Sequence, residues 1–257
     1  RPFNDIGFIP TMGGIHKGHI SLIERSKKVC DKTIVSIFVN PKQFNNKKDF
    51  KTYPANIKKD LSTLKKIKGI DFIFIPSFKD IYETKRKSKI KIAERDKILC
   101  AKFRKGHFEG VLDVMDRLTN LIRPNKIFMG KKDFQQLFLV KNFIEKTYIT
   151  KVIGCKTIRN KNKLALSSRN LLLNKDDLDL AGKITKTFFL LKKNIKIKRN
   201  INKYLSKTKN NIQKTFNIKI EYLELRNEKN LTLSDKSNES KIFVSYYLKG
   251  IRLIDNF

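Results

Sequence analysis

The 257-residue chain has no tryptophan, and cysteine, proline and acidic residues are scarce, at 3, 6 and 24. Cys30, Cys100 and Cys155 stand far apart, with no C-x-x-C pair and no histidine at zinc spacing. That argues against a disulfide framework or a zinc module and fits reduced thiols in a cytoplasm. No stretch nears the roughly 20 apolar residues of a membrane span, and the basic Arg1 start is not followed by a signal-peptide apolar core, so no membrane partner is expected. The chain does not begin with Met and runs almost at once into a strand, which leaves room for residues ahead of Arg1.

What is abundant is apolar residues and lysine. Hydrophobic content of 40%, with 19 Phe, supports a globular core large enough for one large domain or two modest ones. The net charge of +34 would ordinarily suggest nucleic acid. The lysines are instead scattered through nearly every segment, beside Asn, Ile and Phe, all residues with A+T-rich codons. A biased genome explains the charge as well as a binding surface does, and no specific nucleic-acid partner is expected.

The chain is organised around Pro10-Thr-Met-Gly-Gly-Ile-His-Lys-Gly-His-Ile-Ser-Leu22. An apolar run, Ile6 to Ile9, enters it, and an amphipathic segment with Ile20, Ile23 and Cys30 inward leaves it: a strand, a glycine-rich turn and a helix start. Gly13, Gly14 and Gly18 allow close backbone approach, and open amides at the helix start would favour an anion. His16 and His19 fall on one helix face, where both can hydrogen-bond one phosphate. Two surface histidines beside a structural turn would give the same letters.

Beyond this turn, short apolar strands alternate with helical patterns, the signature of a parallel α/β sheet. Thr33 to Val39 reads as a strand buried on both faces, ending in Asn40-Pro41-Lys42-Gln43. Asn40 and Gln43 thus sit at a strand's carboxyl end, as loop polar groups or as amides suited to a hydroxyl-rich substrate. Ile57, Leu61 and Leu64 mark the inward face of a helix, with Asp60 on another side, and Asp71 to Ile75 forms the next strand. Glu83 to Lys91 reads as a solvated loop. His107, ahead of a helix through Val111, Met115, Leu118 and Ile122, suits a packing or capping role.

Lys126 to Met129 leads into Gly130-Lys131-Lys132-Asp133-Phe134-Gln135-Gln136, a second strand, glycine and charged helix start. Here a lysine could meet a polyphosphate and a glutamine an organic substrate; alone, Lys132 reads as a surface residue. Val152-Ile153 and Thr157-Ile158 precede Leu166-Ser167-Ser168-Arg169, two hydroxyls and a guanidinium suited to phosphate. A long helical region from Asp176 to about Phe216 and three strand-like runs follow (218–225, 242–248 and 251–254). Helices followed by strands predict a separate α+β domain, giving 1–157 and 158–257 hinged near 158.

Together, PTMGGIHKGH, VSIFVNPKQF, YP with Asp60, GHFEGV, GKKDFQQL, LALSSRN and the final RLIDN resemble the pantothenate synthetase family, in its order and across almost the whole chain. The resemblance implies a Rossmann-like parallel-sheet domain of the HIGH-motif nucleotidyltransferase type, related to class I aminoacyl-tRNA synthetases, that binds ATP and pantoate. A smaller α+β lid domain would follow. It implies condensation of pantoate with β-alanine, using ATP and Mg2+, through pantoyl adenylate, and a homodimer through the amino-terminal domain. Met12, Gly13, Gly14, Ile15, His16, Lys17, Gly18 and His19 would hold ATP, with Gly130, Lys131, Lys132, Asp133, Ile158, Leu166, Ser167, Ser168 and Arg169. His19, His16 and Lys132 would be catalytic, Gln43, Gln136 and Asn40 would bind pantoate, Gln43 also β-alanine, and Asp60 would meet Mg2+.

The chain departs from the family pattern at Ala55, Lys131, Asn162 and Lys163. Cys100 replaces a common glutamate. Read as an exposed site, Cys100→Glu should change rates less than about tenfold. A related HIGH-motif nucleotidyltransferase and a decayed, low-activity family member are the alternatives.

Overall fold

The computed structural model describes residues 5–83, 90–195 and 200–257, in two compact units, Arg1–Ile158 and Arg159–Phe257. In the first unit, β1 (Ile6–Thr11) leads to α1 (Lys17–Lys27) and β2 (Lys32–Ile37). A short 3-10 helix, Pro41–Gln43, then precedes α2 (Lys47–Lys51), α3 (Ile57–Lys65), β3 (Phe72–Phe74) and α4 (Phe78–Tyr82). After them come α5 (Leu99–Phe103), α6 (His107–Ile122), β4 (Lys126–Gly130), α7 (Phe134–Thr147) and β5 (Lys151–Cys155). Residues 84–89 of the expected solvated loop lie outside the described residues.

All five strands run parallel in the order β3-β2-β1-β4-β5. The connection leaves β1 in one direction for β2 and β3 and in the other for β4 and β5. The switch point therefore lies between β1 and β4, where α/β sheets open a crevice at their carboxyl ends. The β-branched and aromatic runs form the central strands because both faces are covered: Phe8, Ile9, Val35, Ile127 and Phe128 are fully buried. Helix α1 lies close on β1, since a Cβ on Gly7 would stand 2.0 Å from Ser26 Oγ, which itself meets Thr33 Oγ1 at 2.9 Å.

Helix α3 corrects the sequence reading. Its buried residues are Asp60 and Leu64, whereas Ile57 is 49% exposed. The carboxylate turns inward because backbone amides 45 and 46 residues away bind it, and an apolar periodicity carries no trace of such a partner. Cys100 also differs: it is buried in α5, so a glutamate there would be a buried carboxylate, and the exposed-charge expectation fails. Val152 and Ile153 fall in β5, and Thr157 and Ile158 lie beyond it.

In the second unit the long helical region is two helices, α8 (Lys175–Asn194) and α9 (Ile201–Phe216). They precede an antiparallel sheet in the order β6-β7-β8, formed by Lys219–Asn227, Ser240–Leu248 and Ile251–Asn256. Ile184, Phe188, Leu191, Ile212, Leu225 and Val244 share its core. Before α8, Asn160 to Lys163 forms a turn in which Lys163 takes a left-handed φ of 69°.

Candidate active site

The turn after β1 requires its glycines. Gly13 and Gly14 have φ of 81° and 63°, and a Cβ on Gly13 would lie 2.7 Å from Asp60 Oδ2. The expected open amides are closed instead. Gly13 N–H donates to Thr11 Oγ1 at 3.2 Å, and the Gly14 and Ile15 amides donate to the two Asp60 oxygens at 2.9 and 2.8 Å. Asp60 is 3% exposed and lies against the turn as its anchor.

The two histidines then close α1 on themselves. His16 is the N-cap, and its Nδ1 accepts from Gly18 N–H at 3.0 Å; His19 Nδ1 accepts from His16 N–H at 3.3 Å. This is a capping box in which imidazoles replace the usual hydroxyl and carboxylate. Gly18 leaves room for the His16 ring, whose Cε1 would lie 2.6 Å from an added Cβ.

The capping bonds fix the tautomers. A ring nitrogen that accepts a backbone proton carries a lone pair, so in each neutral ring the proton resides on Nε2. Both rings are held neutral. Burial lowers His16 to about 4, with the Lys132 charge adding to it, and lowers His19 to about 3, with His16 and Lys132 adding to it. The rings lie 4.1 Å apart, tilted by 30°. The site thus holds two adjacent neutral donors beside a cation. Lys132, expected alone as a surface residue, is 16% exposed at its side chain and lies 3.6 Å from Asp133.

Lys131, Lys132 and Asp133 form a 3-10 turn after Gly130, and Gln136 falls in the first turn of α7. The Gln136 side chain is half-buried and makes no hydrogen bond among the described residues. Its neighbour Gln135 is buried and donates to the carbonyls of Asp96 and Ile98 at 3.1 and 2.8 Å.

At the end of β2, Gln43 is buried with its Nε2 against Met12 Sδ. Asn40, expected as a substrate amide, is saturated. Its Nδ2 donates to Gln43 Oε1 at 3.2 Å and to Gly110 O at 3.1 Å, while its Oδ1 accepts from Lys42 N–H at 3.2 Å and Tyr82 Oη at 2.9 Å. His107 takes the packing role expected of it: its Nδ1 meets Gln43 O at 2.6 Å and its Nε2 meets Arg104 at 2.8 Å. Tyr82 and Gln135 are supports of the site that motif reading does not find, and the anchoring role of Asp60 is likewise hidden from it, because their partners are backbone or side-chain groups brought together by the fold.

Met12 to His19, Asp60, Lys132 and Gln43 therefore belong to the β1–β4 end of the first sheet. Ile158 closes the first unit, and Leu166, Ser167, Ser168 and Arg169 belong to the second. There Ser167 caps the 3-10 helix Ser168–Leu172, accepting from Arg169 N–H at 3.3 Å. No group of three or more His, Cys, Asp or Glu side chains that could hold a metal ion occurs among the described residues, and none of their helices is long and apolar enough to cross a membrane.

Residues 1–257 match the family model described as Pantoate-beta-alanine ligase. A pantothenate synthetase of Flavobacterium psychrophilum is 39% identical over 258 residues, covering 98% of this chain and 90% of the relative. One from Sulfurihydrogenibium is 38% identical over 261 residues, with coverages of 98% and 91%. The crystal structure of a Francisella tularensis pantoate-beta-alanine ligase, complexed with beta-gamma ATP and beta-alanine, matches with a TM-score of 0.83 at 38% identity, covering 99% of this chain and 89% of that one. A Thermus thermophilus pantothenate synthetase matches at 0.87 and 26% identity, covering 98% and 92%.

Proposed function

Because the chain belongs to the pantoate–β-alanine ligase family, an ATP-dependent activity, we propose that it joins its substrates through an acyl adenylate. A pantoate carboxylate oxygen attacks the α-phosphorus, forming the P–O bond of pantoyl adenylate and breaking the bond to pyrophosphate. The β-alanine amine then attacks the acyl carbon, loses a proton and expels AMP, giving pantothenate. No cysteine or serine paired with a general base is needed as an acyl carrier.

The observation that carries this reading is the pair of Nε2–H donors on His16 and His19 beside Lys132. Neutral donors fixed before the substrate arrives gain strength as negative charge builds on the α-phosphate, and the lysine draws charge from the departing pyrophosphate. Met12 to His19, Gly130 to Asp133 and Ile158 frame the nucleotide in this proposal. Leu166, Ser167, Ser168 and Arg169 are assigned to it on their motif alone. Gln43 and Gln136 bind pantoate, Gln43 also meets β-alanine, and Asn40 becomes a support for Gln43.

Both Asp60 oxygens accept amide protons, so we assign the carboxylate first to anchoring the turn. Magnesium is assigned to the ATP phosphates, as part of that substrate. We also infer a homodimer through the first unit, on the family resemblance, and a cytoplasmic setting, on that resemblance and the free thiols of Cys30, Cys100 and Cys155; a monomeric mass in light scattering would contradict the former.

The test is AMP formation with pantoate, with and without β-alanine, using 18O in the pantoate carboxylate. Label in AMP is expected, with complete turnover only when β-alanine is present. Unlabelled AMP would reject the adenylate, and AMP release indifferent to β-alanine would favour a related nucleotidyltransferase.

A further inference from the structure

We propose that Tyr82 is a positioning residue for the ligation: acting through Asn40, it fixes the Gln43 amide as a hydrogen-bond donor toward an oxygen of pantoate. This deepens the reading that Gln43 binds pantoate and rests on it.

The orientation of Asn40 is set by groups that cannot be exchanged. Gly110 O can only accept and Lys42 N–H can only donate, so Asn40 must turn Nδ2 to the first and Oδ1 to the second. Its second Nδ2 proton then goes to Gln43, which must present Oε1 to receive it. The remaining end of Gln43, Nε2, is thereby a donor only. A glutamine free to flip would recognise a hydroxyl proton and a carboxylate equally; one fixed this way selects an acceptor oxygen.

Tyr82 completes the relay. Its hydroxyl donates to Asn40 Oδ1 at 2.9 Å, so protons point in one direction from Tyr82 to Asn40 to Gln43. Burial, and then the charge of Asp113, push the phenol well above its usual range, which keeps it a donor at any working pH. The ring is held by Lys42 Nζ at 3.8 Å from its centroid, by Arg117 at 4.9 Å and by Phe78 at 4.7 Å. Arg117 also donates to Ile81 O at 3.1 Å, anchoring the end of α4 that carries the tyrosine. His107 grips the Gln43 backbone from the other side, so peptide and amide are fixed by separate elements.

The experiment is a double-mutant cycle on the full chain, measuring KM for pantoate and ATP in Gln43→Ala, Tyr82→Phe and the double variant. Loss of one orienting hydrogen bond should raise the pantoate KM by about two- to tenfold in Tyr82→Phe, with the ATP KM unchanged. In the Gln43→Ala background the same change should add nothing, because the amide it orients is gone. An unchanged pantoate KM, or an equal rise with and without Gln43, would overturn the relay. If Gln43→Ala itself leaves pantoate unaffected, the assignment of Gln43 fails. Pantoate binding by calorimetry below each variant's melting temperature repeats the cycle, so a loss of stability cannot imitate the result.

Discussion

After β1 the chain closes the amides of Gly13, Gly14, Ile15, His16 and Gly18 on side chains, whereas after β4 neither the 3-10 turn nor α7 takes a side-chain cap. Both begin as a strand, a glycine and a charged helix start. The first spends its backbone donors on making two imidazoles rigid and offers those instead. The second leaves Lys132 and an uncommitted Gln136 at its helix start. In the function proposed above, preorganised neutral donors on one strand end and a charge on the other would divide the work of meeting a triphosphate: geometry on β1, electrostatics on β4.

The largest effect should come from removing one donor. His19→Ala is expected to lower adenylation about 10²- to 10³-fold, or roughly 3 to 4 kcal/mol, with a smaller change in pantoate affinity. Lys132→Ala should behave similarly and Lys131→Ala hardly at all. Near-normal turnover of His19→Ala in single-turnover assays would reduce the β1 end to a structural turn.

The two glycines give the next contrast. Gly13→Ala combines a left-handed φ with a 2.7 Å approach to Asp60 and should cost about 2 to 4 kcal/mol in denaturant unfolding. Gly130 has φ of −77° and open space around its missing Cβ, so Gly130→Ala should stay within about 0.5 kcal/mol. If it nonetheless raises the ATP KM, the nucleotide itself approaches at Gly130.

Acid should attack the β1 end selectively. His16 and His19 are near 6.5 when unfolded but about 4 and about 3 when folded, so the unfolded chain binds more protons in that window. Their contribution is intact above pH 6.5 and is lost as pH falls toward 4 and then 3. The melting temperature should drop by about a few degrees by pH 5, and less in His19→Gln. Equal slopes would separate the acid loss from His19.

A small effect of opposite sign calibrates the glycine contrast. Lys163 is left-handed without a glycine's freedom, so Lys163→Gly should stabilise the chain by about 1 kcal/mol. That value is the relieved strain less the entropy a glycine adds to the unfolded chain, so a Gly13→Ala cost well beyond it points to the clash with Asp60.

The sheet and the His16–His19 turn were legible in the sequence because their signals are local: β-branched runs, and glycines spaced within one turn. What escaped depends on partners far along the chain. The Asp60 carboxylate points inward toward amides 45 and 46 residues away, so an apolar stripe places Leu64 correctly in the core but wrongly buries Ile57 and exposes Asp60. Asn40 reads as a ligand amide until Gly110 and Tyr82 occupy it. Cys100 looks like a surface departure because nothing in its neighbouring letters reveals the burial of α5.

Gly110 shows where such a sequence stops being free to change. A Cβ there would stand 2.3 Å from Lys42 O and 2.9 Å from Gln43 Cα, and those atoms are backbone, which no rotamer change can move aside. A lysine-filling mutational pressure can rewrite a solvent-facing helix surface one codon at a time at little cost. At Gly110 a single added carbon would push against the peptide that carries Gln43. In a population under that pressure, this position would be purged of variants as strictly as a catalytic one, for the sake of the peptide it packs against.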